Sequence, residues 1–202
     1  MDDKQTKILL TAIEIFSRDG FELASTNEIA KAANVSKGLL FHYFGNKKKL
    51  HQACQLHVID EYIVFMAARR DLSITDFFER VLFNLRVKMD FAVQNPKFLP
   101  IVNKIFYDNS DLIDRDFLES HIMESSLGTA LKNFWQNIDF TPFRDDVNTA
   151  KLMEYTQLGL EALWVKYSAE NSENLSENIQ NYIADCEEFL KLIKFGVLKN
   201  PG

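Results

Sequence analysis

Proline and glycine are scarce in this chain of 202 residues, at 4 and 7 respectively. An all-β fold needs many tight turns and draws on both residues, so the shortage argues against one and for long helices. There are only two cysteines, Cys54 and Cys186. Two cannot form a disulfide framework, and they suit a reducing cytosol. No stretch approaches the ~18 uninterrupted apolar residues of a membrane span. The opening residues, MDDKQTK, lead straight into an amphipathic pattern, without the basic, apolar and small-residue regions of a secretory signal. A cytoplasmic protein with no membrane partner is expected. There is no G-x-S-x-G, no phosphate-binding glycine loop and no H-E-x-x-H, so neither an enzyme nor a cofactor is implied.

What is present can build a core: 47% of residues are hydrophobic, 26% are charged and 17 are phenylalanine. The formal charge of −6 hides an asymmetry. Residues 1–50 carry 8 Lys/Arg against 6 Asp/Glu, and the remainder 15 against 23. Within 26–50, five lysines face Glu28 alone. A basic segment on an acidic protein can bind phosphates locally while the rest stays in solution.

Leu9, Ala12, Ile13 and Phe16 take the steps of one helix face, which should end near Asp19-Gly20. Ser25 and Glu28 have the S-x-x-E spacing of a capping box opening a second, short helix. Asn34 interrupts it, as a residue that tolerates a left-handed backbone. Ser36 caps a third helix through Phe44. Asn46 caps a fourth, running to about Arg70. Further helices are expected over 74–93, 96–107, 111–137, 146–169 and 176–198.

The two short helices and their turn have the helix-turn-helix arrangement, which inserts its second helix in a major groove. Plain helical packing gives the same pattern. Ser25, Thr26, Ser36 and Lys37 place hydroxyls and charge at helix N-termini, where free N–H groups meet phosphate. Gly38, in the first turn of the third helix, suits either a close approach to DNA or packing on the first helix. Lys47, Lys48 and Lys49 occupy the positive end of the fourth helix, where cations are unfavourable unless a phosphate is near. The bland alternative is a solvated lysine run.

Ala12 to Phe16, Gly20-Phe21, Ser25 to Ala30, Val35 to Phe44 and Asn46-Lys47 together resemble the TetR/AcrR family of bacterial transcriptional regulators. The resemblance implies an all-α protein of about nine helices. Residues 1–46 would form a helix-turn-helix DNA-binding domain, and 47–202 a ligand-binding and dimerisation domain. Ser25 and Thr26 would anchor phosphate, and Asn27 would read a base. Lys37, Gly38 and Leu39 would form the groove-facing tip, His42 and Tyr43 would touch the DNA backbone, and Lys47 would clamp a phosphate. Three residues depart from the family pattern. Leu39 stands where threonine is frequent, Phe41 where tyrosine is, and Asn34 where the turn glycine is. The implied partners are double-stranded operator DNA, a second copy of the chain and a small-molecule ligand. The implied function is a repressor released by that ligand; the alternative is control by a protein partner.

In the last helix Ile179, Ile183, Cys186, Leu190, Ile193 and Val197 step by 4, 3, 4, 3, 4, a coiled-coil-like seam. Leu152, Gly159 and Leu163 continue it on the preceding helix. Either a dimer interface or the chain's own core has this pattern. Phe65, Phe83, Phe106, Trp135, Tyr155 and Trp164 are candidate ligand contacts, because small-molecule sites are lined by such residues. His51, Cys54 and His57 drift by about 120° across their six residues, so no metal site is expected.

Overall fold

The computed structural model describes residues 2–107, 114–125, 128–129, 133–168 and 175–199. Among these it contains nine helices and no strand: α1 Asp3–Leu23, α2 Thr26–Ala32, α3 Lys37–Phe44, α4 Lys47–Arg69, α5 Phe77–Gln94, α6 Leu99–Tyr107, α7 Arg115–Glu124, α8 Thr149–Ser168 and α9 Leu175–Val197. None is long and apolar enough to cross a membrane. They fall into two compact units, residues 1–67 with 94–129, and residues 68–93 with 130–202.

In the first unit α1 starts on Asp2, whose carboxylate accepts from the Gln5 N–H. The helix does not stop at Gly20, as its sequence suggests. Gly20, at φ 73°, kinks the chain, and helix continues to Leu23. Only glycine takes this conformation without strain from a Cβ. The turn between α2 and α3 is closed by Asn34 at φ 56°, the left-handed conformation expected of it. Ser36 caps α3 through the Leu39 N–H, and Asn46 caps α4 through the Lys49 N–H. Ile8, Leu9, Ile13, Ile29, Leu40, Leu50 and Val58 are fully buried.

The expected boundary at 46/47 does not coincide with the division into units, because α4 packs on α1. The Cys54 thiol points to the Leu9 carbonyl at 3.8 Å. The His51 ring lies edge-on to Phe16 and Phe21, at 4.9 and 5.0 Å between centroids. Burial, aided by Lys104 and Lys47, depresses the His51 pKa to about 4.

The second unit is built on α5, α8 and α9 around Phe77, Phe78, Val81, Phe143, Leu152 and Leu190. Trp135 stacks on Phe77 at 5.3 Å. Phe143 pairs with Leu198 in an isolated bridge. Arg80, only 1% exposed, donates to the carbonyls of Leu72 at 3.0 Å, Ile74 at 2.9 Å and Phe134 at 2.7 Å. It fastens the segment before α5 to the turns at 133–137.

The single helix expected over 111–137 lies partly outside the described residues; within them α7 ends at Glu124. Ser125 is extended there, and its N–H and hydroxyl both turn back to the Ile122 carbonyl. Both cysteines are free and buried. Desolvation raises the Cys54 thiol pKa and pushes that of Cys186 up to about 12.

Candidate nucleic-acid interface

Helices α2 and α3 are too short to be stable alone, so tertiary packing must hold them. Ile29 and Ala30 of α2 and Leu40 and Phe44 of α3 are buried. That leaves the opposite faces to solvent. Ser25, Asn27, Lys37, Gly38 and His42 are exposed, and Thr26, Leu39, Tyr43 and Lys47 are half-buried. A Cβ on Gly38 would meet only the Ser36 hydroxyl, at 3.8 Å. The glycine therefore leaves open space on the outer surface of α3 and does not seat α1.

The Ser25–Glu28 capping box does not form. Ser25 occupies the N-cap position, but its hydroxyl makes no capping bond. The Glu28 carboxylate instead accepts from Arg18 at 2.7 Å, an ion pair with α1. The Ser25 hydroxyl is thereby left at a helix N-terminus, where a phosphate oxygen is the favoured acceptor.

The lysines differ in their partners. Lys37 lies over the Phe41 ring at 5.7 Å. Lys47 donates to the Glu22 carbonyl at 3.1 Å and lies over Phe21 at 4.7 Å. It sits at the unfavourable end of α4 but at the favourable, C-terminal end of α1. Tyr43 donates its hydroxyl to Asp2, a residue that periodicity and motifs do not single out.

The other predicted site residues separate. Phe65 and Phe106 belong to the first unit, and Phe83, Trp135, Tyr155 and Trp164 to the second. Trp164 is core, against Tyr182, and Tyr155 faces outward. Leu152, Ile179, Cys186 and Leu190, expected at a subunit interface, are instead buried within the chain. Ile183, Ile193 and Leu163 are half-buried. A Cβ on Gly159 would fall 2.2 Å from the Phe189 ring, so the helix that this glycine admits is α9 of the same chain. The exposed apolar row is a different one: Tyr155, Leu158 and Val165 on α8, with Leu192 and Phe195 on α9.

Lys88 also escaped the sequence reading. It shares the face of α5 that carries buried Val81, Leu85, Phe91 and Ala92. Its side chain is nonetheless exposed, and desolvation by the neighbouring helices lowers its pKa, against the attraction of Glu161.

The pattern of the family described as "Bacterial regulatory proteins, tetR family" matches residues 8–54. The HTH-type transcriptional regulator UidR of Escherichia coli is 47% identical over 49 residues, 24% of this chain and 25% of that protein. The transposon Tn10 TetC protein of Escherichia coli is 44% identical over 52 residues, again 24% of this chain and 26% of that one. The match to the repressor NicS of Pseudomonas putida, 26% identical over 101 residues, covers 50% of this chain and 47% of that one. The chain thus matches about a quarter of the length of the first two relatives.

Solved structures of TetR family regulators from Shewanella sp. PV-4 and Chloroflexus aurantiacus superpose with TM-scores of 0.63 and 0.67, at 21% and 18% identity. They cover 93% and 98% of this chain, and the chain covers 98% and 94% of theirs. At such identities they show the fold. Residues 8–54 thus carry the pattern of the TetR family, and the fold as a whole is that of the solved TetR family regulators.

Proposed function

We propose that the chain is a dimeric repressor of transcription that binds operator DNA through α2 and α3 and is released by a small, largely apolar ligand held in the remaining helices. The observation that carries the DNA reading is the exposed face of α3. Lys37, Gly38 and His42 lie there exposed to solvent, while Leu40 and Phe44 fix the helix from beneath. Ser25, Thr26 and Asn27 present hydroxyls and an amide from α2.

Dimerisation through the outward rows of α8 and α9 is supported by five large apolar side chains there, each more than half exposed. Such a patch marks an interaction surface. Two heads would then meet successive major grooves about 34–36 Å apart.

The deciding experiment is selection of bound duplexes from a random-sequence library. Enrichment of a two-fold symmetric site, lost in Lys37→Ala, supports the reading. No enrichment at low salt overturns it.

A further inference from the structure

The carboxylate of Asp2 has both oxygens engaged. Oδ1 accepts from the Gln5 N–H at 2.8 Å, and Oδ2 accepts from the Tyr43 hydroxyl at 2.5 Å. The first bond caps α1. The second crosses 41 residues to the last turn of α3. The bond to Tyr43, followed by that to Gln5, holds the Asp2 carboxyl below the usual carboxylate range, and the phenol of Tyr43 is raised in turn. Asp2 is therefore ionised at neutral pH.

A phenol carries one proton to donate. A phosphodiester oxygen, like a carboxylate, is an acceptor. Tyrosine hydroxyls are among the groups that bond DNA phosphates, but this proton is already spent on an anion. The two anions would also repel at hydrogen-bond range. We propose that Asp2 competes with DNA phosphate for the Tyr43 hydroxyl, so that seating on DNA requires this hydroxyl to change partners. This rests on the DNA-binding reading and adds to it a built-in brake on affinity, set by one residue outside the helix-turn-helix.

Asp2→Asn separates the brake from the cap. Asparagine caps helices as well as aspartate does. Its amide can donate to the phenol oxygen and free the phenolic proton for phosphate. Binding of the full-length chain to a fluorescent random-sequence duplex at low salt needs no known operator. Asp2→Asn should tighten it about three- to tenfold, the scale of one charge-assisted hydrogen bond partly regained, with an unchanged melting temperature. Asp2→Ser, another capping residue, should do the same.

Asp3→Asn removes an equal charge from an exposed neighbour and measures simple electrostatics. It should give a smaller gain. In a Tyr43→Phe background the gain of Asp2→Asn should shrink to that of Asp3→Asn. Equal gains from positions 2 and 3, a gain of Asp2→Asn left undiminished by Tyr43→Phe, or no gain at all would each overturn the proposal. A wild-type chain that binds no duplex would instead sink the DNA-binding reading, along with what rests on it.

Discussion

The Lys47 ammonium lies 3.1 Å from the Glu22 carbonyl, so the cation that opens α4 also closes the C-terminal end of α1. The same side chain therefore has a structural role beside its expected phosphate contact. Lys47→Ala should cost about 1 kcal/mol of stability from the lost helix-end charge and ring contact. It should also lower the slope of log affinity against log salt by about 0.9, the loss of one phosphate contact. Lys37→Ala should lower the slope alone. Thermal melting and salt titrations check both variants; a lost degree of stability with an unchanged slope would make Lys47 purely a clamp between helices.

His51 makes stability fall in acid. Its pKa drops from 6.5 to about 4 on folding, so between these values the unfolded chain binds a proton that the folded chain does not. Stability from this group is complete above pH 6.5 and declines as pH falls toward 4, by roughly 3 kcal/mol in all. Denaturant unfolding of the wild type and His51→Phe should diverge across that window. Parallel pH profiles would contradict the assignment.

A charge on the outward row should separate subunits without unfolding them. Leu158 and Leu192 are more than half exposed, while Leu190 is 2% exposed within the apolar cluster. Leu158→Glu and Leu192→Glu should keep native circular dichroism and sediment as monomers. Leu190→Glu should lose the fold, because it buries an unpaired carboxylate. Dimers in both surface variants would place the interface elsewhere.

Arg80→Leu should destabilise the protein by about 3–5 kcal/mol, because three part-buried carbonyls lose their donor at once. Lysine should rescue little, since one ammonium does not reproduce the fork of a guanidinium. Urea midpoints compare the two. A leucine variant as stable as the wild type would show that water replaces the arginine.

Local signals carried much of the fold. Ser36, Asn46 and Asn34 act through bonds or backbone angles within a few residues of themselves, so their roles at the starts of α3 and α4 and in the turn are readable in one dimension. The Ser25–Glu28 spacing misled because Arg18, ten residues before Glu28, competes for its carboxylate. The 4, 3 stepping of α9 shows that a face is apolar but not what covers it; the cover is the chain's own α8 and α5. The outward residues of α2 and α3 were legible as a motif. Asp2 was not, because its partner is fixed only by the approach of α1 to α3.

The two buried thiols have a practical consequence. With their pKa values raised and both side chains at 0% exposure, neither supplies thiolate to an alkylating reagent at neutral pH. A cysteine introduced at the exposed end of α3 would be the reactive one, with the native pair left in place. The head-to-head separation in a dimer is thus open to direct ruler measurements by paired spin labels, before and after a candidate effector is added.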